Sequence, residues 1–595
     1  MVESDPGRDA ATFCATLVDE WVRAGVEHAV VAPGSRSTPM AVALAADGRL
    51  RTHVVLDERS AAFTALGVGR ATDRPAIVVT TSGTAAVELH PAVVEAHHDG
   101  VAMICVTADR PPELQGVGAP QTVDQVGLYG GAVRWAASPG PPEPVTAPSA
   151  SSWRSLAARA VLEAVGGRRP PGPVHLNLGF REPLVGEPAP LPPGRDGSAP
   201  WHGRPIVATT LGESALAAAA HALFAGDDRS AGARCGPHAT RGVIIAGSHF
   251  GAGGAAAVHE LAAALGWPVL ADPRSGARAP HPTTVAHFDA ILRAKGFASS
   301  HTPDVVLRVG RLPASKVLGE WLAGATPREV VLDPTGAWID AARAAAHYVV
   351  ADPVDTCRRL VEQVTGQARQ AVTPGDWLDG WQEAESAAAR SIAATLQAEG
   401  DGDPAQPTTE PGTARAVAAG LPDGGHMVVS SSMPVRDVEW FAAPRVGWRV
   451  HANRGANGID GVVSTAVGVA LASGAPTTAL LGDLAFLHDS NALLGLRHRP
   501  VDLTVVVVDN HGGGIFSFLP QAAALDSARF EQLFGTPQDV DVAGLAAAHG
   551  IPVLATLAEA RAASGVRLVV VPTDRARNVD VHDRIHAAVV QAIDG

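Results

Sequence analysis

Asp483 and Asn510 are the residues whose types and spacing most readily do chemistry. Asp483 ends the apolar run "TTALLGD" at a Gly-Asp corner, and Asn510 follows "DLTVVVVD" and precedes "HGGG" at 511 to 514. If 477 to 481 and 501 to 508 are parallel strands, both side chains lie just beyond strand carboxyl ends, at opposite ends of one βαβ unit, on the rim where open α/β sheets bind ligands. An Asp oxygen, an Asn amide oxygen and a glycine backbone are hard ligands suited to Mg²⁺, which keeps positions open for phosphate oxygens. Turn or helix-cap chemistry accounts for either residue alone. The pair, with its glycines, favours a metal site.

A second carboxylate, Glu58, stands in "THVVLDERSAAFTALGVGRA", where an apolar strand ends and a small-residue helix follows. Alone it reads as a first-turn acid favoured by the helix dipole; partly buried, it would have a raised pKa. Arg36, Arg110, Arg436 and Arg454 all lie in loops after apolar runs or at Gly-rich corners, and Lys316, one of two lysines, lies in "GRLPASK" after "VVLRVG". Any one is ordinarily a solvated or salt-bridged group. Converging on a ligand rim, they would suit a substrate rich in carboxylates, which Arg grips bidentately.

Short apolar runs ("HAVVAP", "AIVVTTSG", "AMICVTADRP", "GVIIAGS", "DVVLRVG", "EVVLDP", "HMVVSSS") alternating with Ala-rich helical patterns must position these residues. Continuous apolar strands separated by helices mean parallel sheets covered on both faces, so the fold class is α/β, three doubly wound units. Residues 80 to 111 and 480 to 512 repeat the order strand, Gly corner, helix, strand and acid, with intervals of 26 residues from Gly83 to Asp109 and 27 from Gly482 to Asp509, which suggests a duplication. Pro- and Gly-dense "GEPAPLPPGRDGSAP" (186 to 200) and "EGDGDPAQPTTEPG" (399 to 412) read as linkers. The expected units are 1 to 185, a linker 186 to 204, a central unit 205 to 370, a connecting helix and linker 371 to 412, and a last unit 413 to 595. The cluster "GSHFGAGG" does not satisfy G-x-G-x-x-G and is assigned no nucleotide, and 225 to 242 reads as a surface insertion.

The 595 residues exceed a single core, and 46% hydrophobic with 18% charged residues is a globular composition. A net charge of -14 without a long basic run argues against a nucleic-acid partner. With neither an apolar leader nor about 18 uninterrupted apolar residues, the expectation is a cytoplasmic protein without stable membrane insertion. Cys14, Cys105, Cys235 and Cys357 form no C-x-x-C pair, and the 23 histidines show no metal-ligand spacing, so metal chemistry would use oxygen ligands.

The Gly-Asp corner followed some two dozen residues later by Asn510 resembles the diphosphate-binding motif of the thiamine diphosphate enzymes. "APGSRSTPMAVAL", "DERSAAFTALG", "TTSGTAAVELHPAVVEA", "TADRPPELQGVGAPQTVDQ", "SSSMPVRD", "NRGANGIDG" and "NHGGGIFSFLP" together resemble, within that family, the menaquinone-pathway MenD type, the 2-succinyl-5-enolpyruvyl-6-hydroxy-3-cyclohexene-1-carboxylate synthases. The match runs from about 10 to 180 and about 425 to 540. The resemblance implies thiamine diphosphate with Mg²⁺ or Mn²⁺ as cofactors, the metal on Asp483, Asn510 and Gly512. Gly482 and Leu484 would flank the diphosphate, Ile459 and Ile515 would wall the bent cofactor, and Glu58 would face N1' of the aminopyrimidine. It implies that 2-oxoglutarate loses CO₂ and that its succinyl unit adds to isochorismate in a 1,4 sense. Ser432, Arg436 and Arg454 would face the succinyl part, with Phe516 beside them, and Ser35, Arg36, Arg110, Gln121 and Lys316 would face isochorismate. Two departures stand out: Asp509 where the family has a first Asn, and Pro120 where it has Asn before Gln121. A homo-oligomer, dimer or tetramer, is implied because glutamate and diphosphate site usually come from different subunits. Another thiamine diphosphate enzyme of 2-oxo acids, such as an acetolactate synthase, is the alternative reading; a non-catalytic scaffold of the same fold is the remaining one.

Overall fold

The computed structural model describes residues 5–166, 169–203, 209–224, 241–247, 251, 253–366 and 375–595. Residues 225 to 240 of the expected insertion, Cys235 among them, lie outside these, as do 248 to 250 and 252 of the glycine cluster.

The described strands form three six-stranded sheets, every pairing parallel. The first contains β1 (His28–Val31), β2 (Arg51–Val54), β3 (Ala76–Thr80), β4 (Met103–Asp109), β5 (Trp135–Ala137) and β6 (Pro173–Gly179). The second contains β7 (Gly242–Ala246), β8 (Val269–Ala271), β9 (Thr284–Val285), β10 (Val305–Val309), β11 (Arg328–Leu332) and β12 (Ala345–Val349). The third contains β13 (Gly425–Val429), β14 (Trp448–His451), β15 (Thr477–Gly482), β16 (Leu503–Asp509), β17 (Val553–Leu554) and β18 (Val566–Pro572). Interior strands such as β3, β4, β6 and β10 are buried along their whole length, as helices on both faces require.

The first sheet runs β2-β1-β3-β4-β6-β5 and the third β14-β13-β15-β16-β18-β17, which is one order twice. Strand order reverses beside the first strand of each, so the crevice outside the carboxyl ends of β1/β3 and of β13/β15 is where such sheets accept ligands. The middle sheet runs β12-β11-β10-β7-β8-β9. It shares an apolar core with the third: Val243 and Val306, Trp377 and Trp381 of the helix Gly375–Ala398, and Phe441, Val581 and Ile585 form one cluster.

The two like-ordered sheets meet through equivalent helices. Glu58–Thr72 follows β2 and carries Thr64-Ala65-Leu66-Gly67; Val462–Ser473 follows β14 and carries Thr465-Ala466-Val467-Gly468. A Cβ on Gly67 would lie 2.1 Å from the Thr465 carbonyl oxygen, and one on Gly468 would lie 2.0 Å from that of Thr64. Each glycine thus packs on the other helix's threonine carbonyl, a reciprocal contact that offsets the roughly 0.5–1 kcal/mol that mid-helix glycine costs. Both threonine hydroxyls donate four residues back, Thr64 to Ser60 (2.8 Å) and Thr465 to Gly461 (2.7 Å). The likeness extends into the strands: His28 of β1 and His53 of β2 contact through Nδ1 and Nε2 at 3.1 Å, and His426 of β13 and His451 of β14 through the same atoms at 2.9 Å. Burial lowers the pKa of all four rings.

Candidate active site

At the crevice of the third sheet the segments after β13, β15 and β16 surround a cleft of about 470 Å³. Asp483 opens a short helix, Asp483–His488, and its Oδ2 accepts from the Gly512 amide at 2.7 Å. Burial, with the charge of Asp509 adding to it, pushes this carboxyl up to about 6. Asn510 donates from Nδ2 to Glu410 Oε1 at 2.8 Å, and its Oδ1 is buried with no partner among the described residues. Burial and then the Asp437 charge raise Glu410 to about 7. Gly512 holds φ +133°, and a Cβ there would lie 1.9 Å from the Gly535 carbonyl oxygen, so only glycine fits. Its own carbonyl accepts from Gly514 N at 2.9 Å. A raised carboxylate, an orphaned amide oxygen and a fixed peptide converging on one cleft fit a hard cation and the diphosphate it would carry. Asp509 stays outside this set: its Oδ1 accepts from His511 N at 3.2 Å, trimming the loop.

Gly482, Leu484, Ile459, Ile515 and Phe516 line the same cleft, and Phe516 stacks at a tilt on Phe534, ring centroids 5.4 Å apart. So do Ser432, Arg436 and Arg454. Ser432, at φ 75°, caps the helix Met433–Phe441, and its carbonyl accepts from Arg436 Nη1 at 2.5 Å. Arg454 Nη1 lies 3.4 Å from Ser431 Oγ. Among the described residues neither arginine has a carboxylate within ion-pair distance. Burial, followed by Arg274 and Arg436, lowers Arg454 to about 10. The loop behind Arg454 is pinned from the first unit: Glu95, ion-paired to Arg70 at 3.2 Å, accepts from Gly455 N (2.9 Å) and Ala456 N (2.7 Å).

The equivalent crevice of the first sheet collects Arg36, Arg110 and Gln121. Arg36 donates to the Phe180 carbonyl (3.0 Å) and Glu182 Oε1 (3.2 Å), Arg110 to Ser82 Oγ (2.6 Å), and Gln121 Nε2 to the Ser82 carbonyl (2.9 Å). Burial and then Arg36 lower the pKa of Arg110, so the two guanidinium groups are close enough to repel. Ser35 sits exposed on the loop after β1. Arg110 follows Asp109 at the end of β4 as Asn510 follows Asp509 at the end of β16. Glu58 is the first residue of its helix; burial raises its pKa, and the carboxylates acting on it are Asp57 and Glu88. It does not line the cleft of its own chain. Lys316 stands apart in the central unit, 88% exposed and paired to Glu320 at 3.1 Å.

Three buttresses escape sequence reasoning. Glu410 lies in a Pro-containing stretch that reads as linker, and Glu95 lies mid-helix inside "TTSGTAAVELHPAVVEA" with nothing in its spacing to single it out. Gln125, 1% exposed, accepts from Gly83 N at 2.9 Å and donates to Asn177 at 2.8 Å; its presence in "TVDQ" was the only signal.

The chain is similar to three family models: "Thiamine pyrophosphate enzyme, N-terminal TPP binding domain" over residues 12–128, "Middle domain of thiamine pyrophosphate" over 237–402, and "Thiamine pyrophosphate enzyme, C-terminal TPP binding domain" over 440–570. A curated relative from Thermobifida fusca, named 2-succinyl-5-enolpyruvyl-6-hydroxy-3-cyclohexene-1-carboxylate synthase, is 43% identical over 97% of this chain and 98% of its own. Relatives of the same name from Myxococcus xanthus (41% identical, 97% of each chain) and Geobacillus kaustophilus (40%, 98% of each) match along nearly their whole length too.

Proposed function

This chain belongs to the thiamine diphosphate-dependent 2-succinyl-5-enolpyruvyl-6-hydroxy-3-cyclohexene-1-carboxylate synthases, and on that premise we propose that it decarboxylates 2-oxoglutarate and adds the remaining succinyl unit to isochorismate in a 1,4 sense, a transferase step of menaquinone biosynthesis. The observation that carries the substrate assignment is the pair Arg436 and Arg454, two cleft guanidinium groups without an ion-pair partner among the described residues, which suits a dianionic 2-oxo acid.

Bound in the cleft, thiamine diphosphate supplies the electron sink that decarboxylation requires. Asp483, Asn510 Oδ1 and the Gly512 carbonyl would hold Mg²⁺, with Mn²⁺ an acceptable substitute, and through it the diphosphate; Gly482 and Leu484 would present backbone beside it. Ile459 and Ile515 exclude water and hold the cofactor's shape. Ser432, Arg436 and Arg454, with Phe516 alongside, seat the succinyl carboxylates, and Ser35, Arg36, Arg110 and Gln121 grip isochorismate. Lys316 joins them by leaving Glu320, an exposed pairing worth little.

Glu58 holds a proton at the aminopyrimidine N1', a task its raised pKa suits. Because it lines no part of the cleft in its own chain, it serves a second copy, and the working form is a homodimer or a dimer of dimers. Val54 (57% exposed) and Leu56 (61%) lead into it and support a covering partner. Among the described residues no helix is long and apolar enough to cross a membrane, and we place the enzyme in the cytoplasm, with small-molecule partners and no nucleic acid.

The test is mass-spectrometric product detection with thiamine diphosphate, Mg²⁺, 2-oxoglutarate and isochorismate, against cofactor-free and pyruvate-only controls. A cofactor-dependent succinylated cyclohexene adduct is expected. Acetolactate from pyruvate without that adduct would overturn the substrate assignment and leave the cofactor assignment standing.

A further inference from the structure

The geometry points to Glu410 as a positioning residue that locks the Asn510 amide with its oxygen toward the cation, an inference that rests on the cofactor assignment above. Glu410 opens the helix Glu410–Gly420 and is 4% exposed, its wall of the cleft standing behind Asn510. One atom, Oε1, accepts both from Asn510 Nδ2 at 2.8 Å and from Thr573 Oγ1 at 3.2 Å.

An asparagine amide offers a donor end and an acceptor end that differ little in shape, so its orientation is decided by what each end meets. With Oε1 also accepting from Thr573 Oγ1, the amide end it holds is the NH₂. The oxygen is then forced to the other side, where it is buried and has no described partner. A buried acceptor without a partner is costly, and a cation in the cleft would accept its lone pair. A Cβ at position 514 would sit 2.6 Å from Nδ2, so it is glycine there that lets the amide reach Glu410.

A glutamine at 410 keeps the shape and loses the selection, because its own NH₂ can donate to the Asn510 oxygen and turn the amide around. Outer residues that orient a ligand typically govern metal affinity by 10- to 100-fold. Exchanging the roles of the two side chains restores the selection: in E410Q/N510D the glutamine donates and the aspartate, with no donor end, presents oxygen both ways.

The experiment titrates Mg²⁺ into the cofactor-free protein at fixed thiamine diphosphate and follows cofactor binding by calorimetry, without turnover. Glu410→Gln is expected to raise the Mg²⁺ half-saturation about 10- to 100-fold, with the melting temperature of the cofactor-free protein near the wild-type value. E410Q/N510D is expected to bind Mg²⁺ more tightly than either single variant. A wild-type Mg²⁺ response in E410Q, or a double variant no better than N510D alone, would overturn the positioning role. The second comparison stands even if E410Q alone does not fold. Thiamine diphosphate binding by the wild type that ignores Mg²⁺ would instead overturn the metal site itself.

Discussion

At the scale of single residues, the positions of Asp483 and Asn510 were legible because a strand end is marked by its own sequence: an apolar run, a small corner, a polar side chain. Glu410 was not, because nothing local distinguishes an acid that supports a ligand from one that decorates a linker; only the folded chain brings residues 100 apart to 2.8 Å. Lys316 is 88% exposed and paired to Glu320, so its geometry neither adds to nor removes the sequence expectation. Glu58→Gln is expected to abolish product formation while circular dichroism and melting stay unchanged; turnover near wild type would remove Glu58 from the chemistry. Arg436→Ala should act on one substrate only. Losing a charge-assisted hydrogen bond to a carboxylate costs about 1.5–3 kcal/mol, so kcat/KM for 2-oxoglutarate should drop by about 10- to 150-fold, with the KM for isochorismate little changed. Steady-state kinetics with each substrate varied in turn separates the two.

At the scale of elements, the alternation of apolar runs and Ala-rich segments carried the three parallel sheets, because strands buried on both faces read as near-continuous apolar runs. Strand order was not legible. It depends on which crossover lies on which side, and no local pattern records that. The equal order of the first and third sheets supports the duplication suggested by residues 80 to 111 and 480 to 512. The reciprocal helix contact yields a prediction. Gly67→Ala and Gly468→Ala each place a methyl about 2 Å from a backbone oxygen, which cannot retract as a side chain can. Each should destabilise the fold by about 1–3 kcal/mol, seen as a lower midpoint in urea. Gly67→Ala should also lower activity, because its helix begins at Glu58. An unchanged midpoint would mean that the helices part easily.

At the scale of the whole molecule, buried acids set a pH dependence. Asp489, fully buried, accepts from Ser464 N (2.7 Å) and Ser464 Oγ (3.0 Å), and burial raises it to about 7. The native state therefore keeps a proton that the unfolded chain releases near 4. Between about pH 4 and 7 the unfolded state binds fewer protons, so stability falls as pH rises, with a slope of at most about 1.4 kcal/mol per unit from this group. Asp489→Asn, which stays neutral and can keep both contacts to Ser464, should raise the melting temperature of the cofactor-free protein at pH 7.5 more than at pH 4.5. Equal shifts at both would assign the charge no cost. The helix crossing has one more consequence. Counting six residues back from each threonine, Thr64 leads to Glu58 and Thr465 to Ile459. Glu58, proposed to hold the proton, and Ile459, which lines the cleft, thus stand at the same spacing from the two helix-contact threonines. An ancestral lobe pairing with itself through this crossing would have carried the same residue at both places, a pair of acids or a pair of walls. Once the two copies can change independently, one position can carry an acid in one and an alkyl wall in the other.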